Sequence, residues 1–274
     1  VSFGKGLKRS HPNKLAARVP LAQHPRVAML LSTMLPPSAS LAADLPPVFD
    51  QGSTGSCMWH STPGALVTVY AAADKPLGFI PSMREGYATT RAYERALTTP
   101  LGTNLPALTD SGAEIADVIT CLAHYGVEPM GPDDGGRLSD IGPDNVNAEP
   151  DLGGLEISGQ KLIVGPYLVD PTSSTASDTL AAAIVVGIPI VIGFFCDTAF
   201  ENLQAGQVAG APDQNDPNGG GHAVFLYGYS GTAGSRIFNL RNSWGTSFCD
   251  RGDCLVSEAW LNAAWEAFPM VVST

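Results

Sequence analysis

Asp50-Gln51-Gly52-Ser53-Thr54-Gly55-Ser56-Cys57 is a loop running into the start of a helix. Glycines at 52 and 55 permit tight backbone turns. Ser56 is suited to an N-cap, and the apolar residues from Ala65 through Leu66, Val67 and Val69 to Ala73 predict a buried helix. That start puts Cys57 in the first helical turn, where the positive end of the helix dipole favours thiolate over thiol. An unpaired cysteine is by itself more often a small core hydrophobe. Two later stretches shift the weight: Gly219-Gly220-Gly221-His222-Ala223-Val224 offers an imidazole after a glycine run, and Asn242-Ser243-Trp244-Gly245 a carboxamide beside an indole. With Gln51, six residues before Cys57, these make a set suited to nucleophilic catalysis.

Together with the preceding Pro46-Pro47-Val48-Phe49, these blocks resemble the papain-like cysteine peptidases, in particular a bacterial branch whose approach to the active site reads PPVxDQGxxGSC. Matching blocks run from about Leu45 to about Leu261. The resemblance implies an α+β protein with a papain-like two-lobed fold, in which an N-terminal helical lobe and a C-terminal antiparallel β-rich lobe meet at a cleft. It implies Cys57 as nucleophile, His222 as its general base and later general acid, and Asn242 as the group that holds the imidazole. Trp244 would shield that bond and border the substrate, while Gln51 and the backbone N–H of Cys57 would serve the oxyanion. Ser111 and Gly112 would line the non-prime cleft, where the backbone pairs with an extended substrate. Ala223 and Gly193 would border the pocket for the substrate's second side chain.

The implied activity is endopeptidase hydrolysis of protein or peptide substrates through a thioester acyl-enzyme, with no metal or organic cofactor. Acyl transfer to an amine by the same thiolate, and a catalytically silent peptide-binding relative, are the alternatives. Some positions depart from the family pattern. Met58 follows the nucleophile where an aromatic is usual, and Pro63-Gly64 lies inside the predicted helix, where a bend is expected. Thr54 and Thr109 stand where secreted relatives carry a cysteine pair. His60 reads as packing, because His222 already fills the base role.

Elsewhere, Pro81-Ser82-Met83-Arg84-Glu85 opens a helical stretch through Ala96, and Asp110-Ser111-Gly112 is expected to cap a third helix over Ala113 to Tyr125. Gly126 to Gly165, rich in Gly, Pro and Asp, reads as surface loops. Leu180 to Val186 is a further helix candidate. Strands are expected at Ile188 to Phe195, Ala223 to Tyr229, Arg236 to Asn242 and Leu255 to Ser257. Helices first and strands afterwards indicate α+β. On this reading 1–44 is a leader and 45–274 the catalytic domain, mainly helical over 45–165 and mainly β over 166–274.

Charge separates the same two parts. The net charge is -11, yet residues 1–43 carry Lys5, Lys8, Arg9, Lys14, Arg18 and Arg26 and no acidic residue, leaving -17 on the remainder. A basic arm on an acidic body has its nearest partner in the same chain. The leader is therefore expected to fold back on the lobes with Val27 to Leu31 packed against them, either as an inhibitory segment or as a structural arm. A secretory signal over Arg26 to Ala42 is the rival reading. No nucleic-acid or membrane partner is expected, and a monomer is. Cys121 and Cys196 read as core. Cys249 and Cys254, flanking a turn, read as either a small-loop disulfide or two free thiols, which leaves the redox compartment open.

Overall fold

The computed structural model describes residues 3–131 and 138–272. Its leader forms β1 (Leu7–Lys8), α1 (Pro12–Ala16), β2 (Val19–Pro20), α2 (Pro25–Leu31) and β3 (Ser38–Ser40). Both leader helices begin on proline, whose fixed φ suits a first turn and whose missing N–H costs nothing there. Val27 is fully buried, Leu30 and Leu31 pack against the core, and Met29 faces outward. The stretch read alternatively as a secretory signal is thus part of the folded body.

The helical lobe contains α3 (Met58–Ala72), α4 (Met83–Thr98), β4 (Ala113–Glu114), α5 (Ile115–His124) and α6 (Leu152–Ser158). Residues 58–66 of α3 are all buried, so this is a central helix with no solvent face along its first half. It runs unbroken through Pro63, and Gly64 allows the ring of Phe225 to approach so closely that a Cβ would lie 2.7 Å from its Cε1. α4 is capped as its sequence suggests: Ser82 Oγ accepts from Glu85 N–H at 3.0 Å. Asp140 accepts from the N–H groups of Met83 and Arg84 as well.

Two local expectations are corrected. The cap of α3 falls on Cys57, and Ser56 Oγ instead meets Thr54 Oγ1 at 2.7 Å. Asp110 does not cap a helix over Ala113 to Tyr125. It accepts from Gly55 N–H at 3.0 Å and from the Tyr87 hydroxyl at 2.7 Å, while α5 starts only at Ile115. The reason is that the backbone of 113–114 is extended and paired in parallel with the leader, Leu7 opposite Ala113 and Lys8 opposite Glu114. The 126–165 stretch is largely irregular apart from α6, and its part at 132–137 lies outside the described residues.

The second lobe holds β5 (Tyr167–Leu168), α7 (Ala176–Val185), β6 (Ile190–Cys196), α8 (Thr198–Glu201), β7 (Val208–Ala209), β8 (Gly220–Ser230), β9 (Ile237–Arg241), β10 (Asp253–Ser257), α9 (Glu258–Asn262) and β11 (Glu266–Pro269). They build a seven-stranded sheet in the order β11-β6-β8-β9-β10-β7, with β3 also paired to β8. All its pairings are antiparallel except β10 with β7. β8 is long enough to hold β6 along its first half and β3 along its last residues, so the leader completes the sheet. β2 lies parallel to β5 and makes a second tie between leader and β lobe. Among the described residues no helix is long and apolar enough to cross a membrane.

Candidate active site

Cys57 enters at the start of α3, His222 near the start of β8, and Asn242 directly after β9. The antiparallel register that sets Phe225 opposite Arg241 brings the last two together. His222 Nε2 lies 2.8 Å from Asn242 Oδ1, which also accepts from Ser243 N–H at 2.8 Å. An atom that accepts from a backbone N–H is the amide oxygen, so Nε2 of the ring is the donor. Nδ1 is then the basic nitrogen of the neutral ring, and it is buried without a hydrogen-bond partner. Trp244 stacks on the imidazole at 4.5 Å between centroids. Phe194 meets it edge-on from the other strand.

The backbone N–H groups of Gly6, Ala223, Met58 and Leu7 are directed at the sulfur of Cys57. Ala223 follows His222, so the imidazole-bearing strand and the cysteine loop meet at this atom. Gln51 ties the two lobes a second time: Oε1 accepts from Ser243 Oγ at 2.6 Å, and its backbone N–H donates to Ser243 O at 2.9 Å. Its Nε2 donates to Thr54 O at 2.7 Å and to Gly4 O, in the leader, at 3.1 Å.

Residues 3–8 pass through this site. The Phe3 ring stacks on Trp244 at 4.2 Å and 10°. Gly4 N–H donates to Gly52 O at 3.2 Å. Gly6 lies so close to Gly55 that a Cβ would fall 2.1 Å from Gly55 O, and Gly6 O accepts from Ala113 N–H at 3.0 Å. Gly112, at φ +73°, faces the same strand, and a Cβ on it would lie 1.7 Å from Gly6 O. Its neighbour Ser111 is exposed at the rim. Leu7 fills the space beside Gly193 and Ala223, which face one another across β6 and β8; a Cβ on Gly193 would come 2.7 Å from Leu7 Cδ2. Glycine at 221 is equally constrained, since a Cβ there would meet Leu7 O at 2.0 Å.

Charge follows the same path. Lys5 pairs with Glu201 at 2.5 Å, Lys8 with Glu94 at 2.6 Å, and Lys14 with Asp117 and Glu114 at 2.7 and 2.9 Å. Each is a leader cation on an acidic group of the body.

The electrostatics correct one expectation. Burial pushes the Cys57 thiol up from 9.0 to about 11, and the four backbone amides only partly oppose it. Burial likewise pushes His222 down from 6.5 to about 4, opposed by its bond to Asn242 and reinforced by the positive charge of Lys5. With the leader in place the pair is therefore held as thiol and neutral imidazole, not as the thiolate that the helix start alone suggests.

His60 is a satisfied core histidine: Nδ1 lies 3.0 Å from Ser56 O and Nε2 3.0 Å from Ser139 Oγ. Among the described residues no cluster of His, Cys, Asp or Glu could hold a metal ion. All five cysteines are free thiols. Ser243, Gly221, Leu7 and Glu266 belong to the site and were not singled out from sequence. The glycine run before His222 carried a usable signal, because glycine inside a strand marks a close backbone approach. Glu266 had none. It lies behind Gly193 on β11, accepts from Ser10 N–H at 3.1 Å, and burial raises it from 4.5 to about 7.

Residues 167–261 match the family described as papain family cysteine protease. Across the whole fold the chain is similar to xylellain, a cysteine protease from Xylella fastidiosa, with 25% identity and a TM-score of 0.68, covering 100% of this chain and 96% of that one. It is similar in fold to digestive procathepsin L 3 of Tenebrio molitor larval midgut, with 17% identity and a TM-score of 0.61, covering 98% of this chain and 76% of that one. The bromelain protease of Ananas comosus, solved in complex with the E64 inhibitor, matches with 14% identity and a TM-score of 0.59, covering 86% of this chain and 100% of that one.

Proposed function

We propose that this chain is a papain-like cysteine endopeptidase built on Cys57, His222, Asn242 and Gln51 and held shut by its residues 1–44, a reading supported by the family match over 167–261 and the similarity to xylellain. In the open enzyme His222 Nδ1 takes the thiol proton, and the Cys57 sulfur attacks the scissile carbonyl carbon. The oxygen that becomes negative receives the N–H of Cys57 and one N–H of Gln51 Nε2. As the carbon–nitrogen bond breaks, the departing amine takes the proton from His222, leaving a thioester on Cys57. A water molecule, deprotonated by the same nitrogen, attacks the thioester; the acid is released and the thiol restored. Asn242 keeps the ring in the tautomer this requires, and Trp244 keeps water from their bond.

The observation that carries this reading is the placement of Gly4 O. One Gln51 N–H is committed to Thr54 O, and the other, the one free to serve a substrate, is on the leader's carbonyl. Leader amides meanwhile sit on the sulfur, and Leu7 fills the pocket assigned to the substrate's second side chain. Ser111 and Gly112 would present the edge along which a substrate extends once β1 has left. The test compares the full chain with a chain lacking residues 1–40 on fluorogenic peptide reporters carrying a leucine or phenylalanine second from the cleaved bond, with Cys57→Ala as the blank. Hydrolysis is expected to rise strongly on removal of the leader and to vanish with Cys57→Ala. Equal rates with and without the leader would remove the inhibitory role.

A further inference from the structure

The turn between β9 and β10 carries two thiols that the proposed reaction does not use. Asp250 and Asp253 exchange both backbone hydrogen bonds, Asp250 N–H to Asp253 O at 3.1 Å and Asp253 N–H to Asp250 O at 3.0 Å. Cys249 and Cys254 are the residues directly outside this pair, one on each side of the turn. Two cysteines so placed are candidates for a bridge, which requires α-carbons within about 7 Å of one another. Each thiol is close enough to shift the other's proton equilibrium.

Their environments differ as an attacking and a resolving thiol should. Cys249 is part-exposed, whereas Cys254 is 2% exposed on β10. The contact with Cys254 holds the Cys249 thiol down from 9.0 to about 7, and the same contact raises Cys254. Cys249 also sits at φ +48°, a left-handed backbone where glycine or asparagine is the easy choice. A cysteine kept there is held against the preference of the turn, which points to a use for its sulfur.

We propose that Cys249 and Cys254 form a thiol–disulfide redox site on the turn that supports the imidazole-holding loop. The Cys249 thiolate attacks one sulfur of a low-molecular-weight disulfide such as oxidised glutathione and expels one thiolate, which takes a proton from water. Cys254, after giving its proton to solvent, attacks the Cys249 sulfur of the mixed disulfide and expels the second thiolate. Two protein thiols are oxidised to one bridge, and the small disulfide is reduced to two thiols. The bridge closes a loop whose Gly252 O accepts from Asn242 N–H at 2.9 Å and whose neighbour Phe248 packs on Trp244 at 4.8 Å and on Phe3 at 5.6 Å. Oxidation is thus written into the residues that position His222. Cys57 is spared under the same conditions, being fully buried beneath the leader.

The test incubates the full chain with oxidised glutathione, blocks remaining thiols with iodoacetamide under denaturing conditions, and maps peptides without reduction. The expected result is a peptide bridged between 249 and 254, reversed by dithiothreitol, with Cys57, Cys121 and Cys196 alkylated. Cys254→Ser should instead accumulate one glutathione on Cys249, and Cys249→Ser should leave Cys254 unmodified. Absence of the bridge in the wild-type chain, when free cysteine exchanges in the same buffer, overturns the proposal. So does glutathione stably attached to Cys249 with Cys254 still present. The wild-type map needs no variant, so poor folding of either substitution leaves the test intact.

Discussion

Leu7→Ala is the most direct probe of the closed site, because Leu7 is 6% exposed and is the side chain filling the space at Gly193. Truncation removes three carbons from a buried leucine, each contributing about 0.8 kcal/mol, so the docked leader loses about 2 kcal/mol. Once the leader has lifted off, Leu7 is solvated in either variant, and nearly all of the loss falls on the closed state. At about 1.4 kcal/mol per factor of ten, the open fraction rises roughly 30-fold. Cys57 has no exposure in the closed form, so an alkylating reagent reaches it only through opening, and its labelling rate follows the open population.

The assay is a time course of iodoacetamide labelling on the full chain, with Cys57 followed by peptide mapping and reporter hydrolysis measured in parallel. Both rates should rise roughly 30-fold for Leu7→Ala. Met29→Ala, at a side chain 62% exposed on the same leader, should change neither. Gly221→Ala should exceed Leu7→Ala, because the atom its Cβ would strike is backbone, Leu7 O at 2.0 Å, and cannot turn aside. A folded Leu7→Ala protein whose Cys57 labels at the wild-type rate would refute the reasoning, for the leader would then not control access.

Three other outcomes follow from the same contacts. In the leader-freed enzyme Gln51→Glu, which keeps an acceptor for Ser243 Oγ but loses both donors, should lower kcat roughly 10²-fold with little change in KM; unchanged kcat would remove Gln51 from the oxyanion site. Glu266 is raised in the fold from 4.5 to about 7, so the stability tied to its protonated form is present below 4.5 and lost as pH rises through 7. Glu266→Gln should therefore match wild type in Tm near pH 4 and exceed it at pH 8, by on the order of 3 kcal/mol or about 6 °C; equal Tm values at pH 8 would show that the carboxylate carries no burial cost. Finally, raising salt should speed Cys57 labelling of the full chain by only two- to three-fold or so, since the leader's lysine pairs are partly exposed and each contributes about 0–1 kcal/mol. A much larger acceleration would mean that charge, not the seating of Leu7 and Phe3, holds the leader down.

The candidate site was legible in sequence because its groups sit in short, composition-rich motifs whose local geometry is nearly self-contained: glycine turns before Cys57, a strand start at His222, a strand end at Asn242. β6 and β8 were legible for a related reason, as largely apolar runs buried on both faces. The leader was legible only in part. Its charge pointed to the acidic body and its apolar run to packing, and Val27 is indeed fully buried. What could not be read was that residues 3–8, not the apolar run, enter the cleft, because a backbone lying against Gly55, Gly112 and Gly221 depends on glycines from three distant parts of the chain. The misread cap at Asp110 has the same origin: the residues after it are held extended by a strand from the leader. β3 was missed because Ser38-Ala39-Ser40 has no strand pattern of its own and pairs only because β8 offers an unoccupied length of edge.

The thiolate expectation failed on a magnitude, and the failure clarifies the closed state. A helix N-terminus contributes roughly 0.3–1 kcal/mol to a nearby anion, up to about 2 in favourable sites. The net displacement of Cys57 from 9.0 to about 11 is about 2.7 kcal/mol in the opposite sense, with the favourable backbone amides already acting. Burial outweighs the dipole, and the leader covers the sulfur that is buried. His222 moves from 6.5 to about 4 for the same reason, with Lys5 adding to it. On the proposed reading, the segment lying in the cleft also withholds the proton transfer, since a thiol near 11 does not protonate a ring near 4. On that reading a strand lying on the sulfur obstructs substrate and keeps the nucleophile uncharged together. Its departure readmits water to both groups, and the helix dipole can then favour the thiolate.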